Sequence, residues 1–171
     1  MTSKNKFGNS PAIQFRPFLL LNRSTMITLA TYKDHSAIIE VWEQSVRATH
    51  HFITEDYIRE IKSLLPGILS RVKIYVWREA DGIKGFAGVA EQKMEMLFIH
   101  PSRFGQGLGR QLSMFCIHSL KVVEVDVNDE NKAAIEFYIK LGYQLVGRDE
   151  FDSTGKPHPI LHLKWAGISL N

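Results

Sequence analysis

Apolar and polar residues follow two different periods along this chain, and the switches between them mark its elements. Over 35–48 the positions Ile38, Val41, Trp42 and Ser45 recur at three- and four-residue intervals, the spacing that lines one face of a helix. Asp34 stands ahead of that run as its N-cap. A second helix is predicted over about 54–65, ended by Pro66-Gly67. The stretch VKIYVWRE (72–79) is instead β-branched and aromatic and runs into the turn Ala80-Asp81-Gly82, so it predicts a strand. Further strands are predicted at 27–32, 83–91, 94–99, 121–127, 143–151 and 159–165. Two more helices lie between them. One starts at the glycines near 105–109 and runs to about 119. The other covers 129–141, with Asn128 as cap, acids in its first turn, Lys140 in its last and Gly142 just beyond. Strands alternating with helices, without internal repeats, predict a mixed α/β layered domain.

Residues 1–25 do not share this patterning. They are polar, broken by Gly8 and Pro11, and their one apolar cluster, Phe18 to Leu21, is too short for a signal-peptide core. The expectation is a disordered or loosely attached extension over 1–25, with Met26 able to serve as a start, followed by one domain over 26–171. Charge sharpens this division. The extension carries Lys4, Lys6, Arg16 and Arg23 and no acid, so of the net charge of +3 it holds +4 and the remainder of the chain sums to −1. A basic folded surface, and nucleic acid as its partner, are not expected. No apolar run approaches the roughly 18 residues of a membrane span. The one cysteine, Cys116, excludes an intrachain disulfide, and its place on the stripe Leu108, Leu112, Phe115, Cys116 predicts a buried structural thiol. A cytoplasmic protein, monomer or homodimer, is expected.

Candidate chemistry enters at FIHPSRFGQGLGRQLSMF (98–115), where Gly105, Gly107 and Gly109 separate a strand from a helix. A dinucleotide fingerprint is excluded, because Arg110 stands where its third glycine belongs, and a Walker A loop is excluded, because no Lys-Ser/Thr pair follows. What remains is G-x-G-x-G opening a helix, whose backbone N–H groups can form a nest for a pyrophosphate; tight strand–helix packing is the alternative use of such glycines. Farther on comes N-x-x-A-x-x-F-Y-x-x-x-G-Y: Asn131, Ala134, Phe137, Tyr138, Gly142 and Tyr143. On a helix Ala134, Tyr138 and Leu141 share one face, with Asn131 a turn earlier. Taken alone, Phe137 and Tyr138 read as core aromatics.

Together the two segments resemble the GNAT superfamily of acetyl-CoA-dependent N-acetyltransferases over residues 26–166. The strand ending at Ile99-His100-Pro101, the signature [RQ]-x-x-G-x-[GA] and the N-x-x-A-x-x-F-Y helix carry the resemblance. SVRATHHFI (45–53), EMLFIHP (95–101), NDENKAAIEFYIKLGY (128–143) and GKPHPILHL (155–163) are similar in particular to its YjaB-type bacterial branch. One position departs: Phe104 stands where the signature has Arg or Gln, with Arg103 one place earlier.

The resemblance implies an α/β fold with a mixed, mostly antiparallel central sheet of about seven strands, splayed in the middle, with helices on both faces. It implies acetyl-CoA as cosubstrate, no metal, and direct acetyl transfer to a primary amine of a small molecule, protein lysine or N-terminus. The pyrophosphate would lie on Phe104, Gly105, Gln106, Gly107, Leu108, Gly109 and Arg110, and the pantetheine arm would pair with Leu97 and Ile99, with an N–H near Phe98 polarising the thioester carbonyl. Asn131 and Phe137 would complete the cofactor site. Tyr138 is the implied acid for the departing thiolate. Glu95, which alternates with Leu97 and Ile99, is either the base, acting directly or through water, or a solvated strand-end glutamate. His50, Phe52 and His158 would face the amine acceptor. His158 and His162 do not make a metal pair, since four strand residues span about 13 Å. A CoA-binding regulatory module without turnover is the competing function, for which Phe104 is the argument.

Overall fold

The computed structural model describes residues 26–167. The extension expected over 1–25 lies outside the described residues. The elements follow in the order β1 (Met26–Leu29), α1 (His35–Thr49), α2 (Glu55–Leu69), β2 (Lys73–Glu79), β3 (Gly82–Ala90), β4 (Lys93–Ile99), α3 (Leu108–Leu120), β5 (Glu124–Asn128), α4 (Lys132–Lys140), β6 (Tyr143–Asp149) and β7 (Ile160–Trp165). The strands form one seven-stranded sheet in the order β1-β2-β3-β4-β5-β7-β6. Every neighbouring pair is antiparallel except β4 and β5, which are parallel.

Side-chain alternation along the strands feeds two cores. On one face Ile74, Val76, Phe86 and Met96 pack against Ile38, Val41 and Trp42 of α1 and Ile58, Leu65 and Leu69 of α2. On the other, Ala87, Met94, Val125, Val127 and Leu163 pack against Leu108, Leu112 and Cys116 of α3 and Tyr138 and Leu141 near α4. Burying a large apolar side chain contributes roughly 1.5–3 kcal/mol, so these two clusters set the positions of all four helices against the sheet. The expected sheet of about seven strands with helices on both faces is the one observed.

Several boundaries differ from the sequence expectation, each for a local reason. α2 continues through Pro66-Gly67 to Leu69. The proline falls in its last turn, where its missing N–H removes a single helical bond, and the turn is held by buried Leu65 and Leu69. Asp34 stands at the N-cap position of α1, but its side chain makes no capping bond. Its carboxylate turns back to accept from the Thr31 N–H at 2.8 Å and pairs with Arg78 at 2.7 Å. α4 begins after Asn131 rather than at Asp129, because the Asn131 carboxamide oxygen accepts from the Ala134 N–H at 3.1 Å as the N-cap, while Asn128 caps only the Glu130 N–H at 2.8 Å. β5 starts at Glu124, after Lys121 ends α3 in a left-handed conformation.

Candidate active site

β4 and β5 are paired only at Lys93↔Glu124 and Met94↔Val125, after which they diverge. The sheet is therefore splayed in the middle, and a cavity of about 450 Å³ occupies the divergence. β4 contributes Leu97, Phe98 and Ile99 to it; α4 and its cap contribute Asn131, Ala134, Phe137 and Tyr138. Phe104, Gly105, Gly107, Leu108, Gly109 and Arg110 supply the glycine loop, and His50 stands at the end of α1. Of the residues singled out from sequence, the fold brings these together.

The backbone facing the gap is set by ladder parity. The His100 N–H donates to the Lys84 carbonyl at 2.9 Å, and Phe98 is opposite Phe86 two residues earlier. In an antiparallel ladder alternate residues turn both backbone groups the same way. Phe98 therefore gives its N–H to β3, and Leu97 and Ile99 turn theirs toward the gap. An N–H available to polarise a carbonyl there belongs to Leu97 or Ile99, not to Phe98. The Phe98 ring turns to the opposite core, 5.6 Å from Phe86 and 6.5 Å from Trp42.

The glycines serve two separate purposes. Gly107 has φ +83° as the residue before α3, and a Cβ there would meet nothing within 4 Å, so it is needed for its backbone conformation and projects into open space. At Gly109 a Cβ would lie 3.3 Å from the Phe137 ring, so here the missing side chain permits close approach of α3 and α4. The first helical bond of α3 runs from the Gln111 N–H to the Gly107 carbonyl at 3.0 Å, which leaves the N–H groups of Leu108, Gly109 and Arg110 without helical acceptors. A helix start of this kind offers its free N–H groups to an anion. Arg103 is not free to add its charge: its guanidinium forks onto Glu79, with Nε 3.1 Å from both carboxylate oxygens, and Nη1 reaches Gln106 Oε1 at 3.3 Å. That pairing holds the Glu79 carboxyl below its usual range. Gln106 itself turns from the cavity to donate to the Ser102 carbonyl at 2.9 Å. Phe104 is 40% exposed at the cavity edge.

Tyr138 is 5% exposed, with its ring 5.0 Å from Phe137 and 5.3 Å from Tyr143. Burial, and secondarily Tyr143 and Cys116, push its phenol well above the ordinary tyrosine value. The hydroxyl thus holds its proton more firmly than an ordinary tyrosine does. This modifies the expectation of a phenol near ~10: giving up the proton costs more.

His50 is bonded on both ring nitrogens, Nδ1 to Thr49 Oγ1 at 2.8 Å and Nε2 to Asn131 Nδ2 at 3.4 Å. Burial, then the neighbouring His51, lower its pKa from the ordinary value. Phe52 and His158 do not line the cavity. They build an aromatic stack beside it: Phe52 lies 5.3 Å from His50 and 6.4 Å from His158, which is stacked on Tyr57 at 5.5 Å. Tyr57 bonds Asp152 and Glu130 bonds His158 at 2.8 Å, tying the β6–β7 loop to α2 and to the approach to α4.

Glu95 departs most from expectation. Gly88 pairs with Met96 and Val89 with Met94, so Glu95 is the extra residue of a bulge. Simple alternation fails there, and its side chain is exposed in a separate cleft with Glu91, Lys93 and Glu124. Ser45, Thr49, Arg103 and Ala133 line the cavity without having been singled out as site residues. Ser45 and Thr49, four apart on an otherwise apolar helix face and next to His50, were the available signal. Among the described residues no group of three or more metal-ligating side chains exists, and no helix is long and apolar enough to cross a membrane.

Known proteins share this arrangement. Peptidyl-lysine N-acetyltransferase YjaB of Escherichia coli (strain K12) is 33% identical over 142 residues, covering 82% of this chain and 97% of that protein. The solution structure of apo-form YjaB from Escherichia coli superposes with a TM-score of 0.78 at 32% identity, covering 84% of this chain and 99% of the other. The PaiA N-acetyltransferase of Thermoplasma acidophilum, solved in complex with coenzyme A, shares the fold with a TM-score of 0.61 at 21% identity, covering 83% of this chain and 99% of that one. Residues 70–145 match the family described as Acetyltransferase (GNAT) domain. With a splayed sheet, a glycine-led helix start and a buried tyrosine in one cavity, the chain belongs to the GNAT family and is an N-acetyltransferase.

Proposed function

We propose that the protein transfers the acetyl group of acetyl-CoA directly to the ε-amine of a lysine in a protein or peptide. The observation that carries this acceptor is the 33% identity along 97% of a protein named for peptidyl-lysine acetylation. The site supports a direct route. The pyrophosphate would rest on the free N–H groups at the start of α3, and the pantetheine arm would lie along β4, bonded to Leu97 and Ile99 as an added strand. One N–H of that edge would stabilise negative charge on the carbonyl oxygen. Tyr138 would give its proton to the leaving sulfur. An acetyl-cysteine route lacks a nucleophile, because Cys116 is fully buried and burial pushes its thiol up to about 12. We place the reaction in the cytoplasm, where acetyl-CoA is available.

The test is thiol release from acetyl-CoA with a panel of amines: a lysine peptide with blocked N-terminus, a peptide with a free N-terminus and no lysine, spermidine and free amino acids. The lysine peptide should be turned over fastest and gain an acetyl group by mass. Turnover confined to the small amines, or none with any acceptor, overturns the assignment.

A further inference from the structure

His50 ends α1 inside the cavity, and its hydrogen bonds can be counted. The Thr49 hydroxyl has one hydrogen, which it donates to the Ser45 carbonyl at 2.8 Å. Toward His50 Nδ1, also at 2.8 Å, that oxygen can then only accept, so Nδ1 carries the ring proton. On the far side of the ring, Asn131 faces Nε2 at 3.4 Å. The Asn131 oxygen is already held by the Ala134 N–H at 3.1 Å, which fixes the amide so that its NH2 group points at His50. The opposite tautomer would set an Nε2–H against that NH2 and leave two acceptors sharing one Thr49 hydrogen. Only the Nδ1–H form satisfies every group in the chain Ser45, Thr49, His50, Asn131, Ala134.

Resting on the lysine acetyltransferase reading above, we propose that His50 is a catalytic base whose unprotonated Nε2, set by Thr49 and facing the cavity beside Asn131, takes the proton from the reacting amine. The long contact to Asn131 is the one that an incoming nitrogen would replace. The proton balance is simple. A neutral amine attacks, the C–N bond forms and the nitrogen becomes acidic; its proton passes to Nε2. The C–S bond breaks with its electron pair on sulfur, which takes the Tyr138 hydroxyl proton. The imidazolium loses one proton to water and the phenolate regains one, so the enzyme returns unchanged.

The surroundings keep the ring neutral. His51 adjoins it on its own segment, Asn131 and Tyr138 share the cavity from α4, and the His158–Glu130 pair and Tyr57 stand behind Phe52. Among the described residues no carboxylate bonds the imidazole, and burial holds its pKa below the ordinary histidine value. Glu95, exposed in its separate cleft, has no comparable access.

Thiol release with a blocked lysine peptide at saturating acetyl-CoA tests this. His50→Gln should lower kcat by roughly 10²–10⁴-fold with the acetyl-CoA KM little changed. His50→Ala should regain rate as imidazole is added, in proportion to its neutral form. Nitrogen NMR of the wild-type ring, which needs no variant, should show protonated Nδ1 and unprotonated Nε2. An Nε2–H ring, a His50→Gln enzyme with wild-type kcat, or a loss confined to acetyl-CoA KM and insensitive to imidazole overturns the proposal while leaving acetyl transfer intact. A wild type that releases no thiol with any amine overturns both.

Discussion

Tyr138 packs its ring among Phe137, Tyr143 and Cys116 and also lines the cavity. Tyr138→Phe should therefore leave the melting temperature and acetyl-CoA affinity nearly unchanged while lowering kcat by roughly 10²–10⁴-fold, read by calorimetry and steady-state kinetics. Because burial raises the phenol far above its ordinary value, the rate of the wild type should show no alkaline fall from Tyr138 in the working range. The neighbouring thiol gives a stability test. Cys116 moves from 9.0 to about 12, so between those pH values the folded chain holds a proton that the unfolded chain has lost. Stability should fall as pH rises through that window, at up to about 1.4 kcal/mol per pH unit from this group. Denaturant unfolding of Cys116→Ala should show a shallower decline. At this scale Tyr138 and Asn131 were singled out by the family resemblance, since their spacing on one helix face alone read as core packing, and the fold places both at the cavity. The sequence left Glu95 between two readings, of which the solvated one matches its exposed side chain, because a bulge adds a residue without any mark in the apolar pattern. It passed over Thr49, whose role depends on a hydrogen bond to the following side chain.

Among the elements, the strand edge and the glycine loop would divide the work of holding acetyl-CoA in the proposed complex. Amide exchange should report the edge directly. The N–H groups of Leu97 and Ile99 should exchange quickly in the free protein and slow on adding acetyl-CoA, whereas Phe98, bonded into β3, should be protected in both states. Equal behaviour of the three would show that the cosubstrate does not pair with β4. At the loop, Arg103 is committed to Glu79 and Phe104 lines the cavity together with the free helix start. Phe104→Arg should tighten acetyl-CoA binding in low-salt calorimetry, and the gain should shrink as salt screens the new charge. Unchanged affinity at low salt would show that backbone donors already suffice. Most element types were legible from helical spacing and from β-branched, aromatic runs, although β3 buries five consecutive residues rather than alternate ones. The ends were less so: the extent of α2 past Pro66 was decided by the burial of Leu65 and Leu69, a tertiary effect.

Over the whole molecule, backbone pairing is uneven. Five of the six strand contacts are antiparallel ladders of at least four residue pairs, and the parallel β4–β5 contact has two. Side chains reinforce this line: Lys93 of β4 pairs with Asp126 of β5, Asp126 with His162 of β7 at 2.7 Å, and His162 with Asp149 of β6 at 3.1 Å. The hydrogen bond to Asp126 is the largest cause holding the His162 pKa above its ordinary value. The stabilisation is thus fully present below about 6.5 and is lost as pH rises through the raised folded value. A proton NMR titration should place the His162 midpoint above the ordinary value, and Asp126→Asn should bring it down. The family resemblance implied a splayed sheet, but not this chain of charges, which joins residues far apart along the chain and depends on strand register. The short β4–β5 contact also gives the sheet a tear line. Stretched between its outer strands, β1 and β6, it would part first where two residue pairs carry the load, with the α3 side chains as the remaining tie. A ligand lying along β4 would rivet that line, so the molecule should resist tension better when loaded with its acetyl donor than when empty.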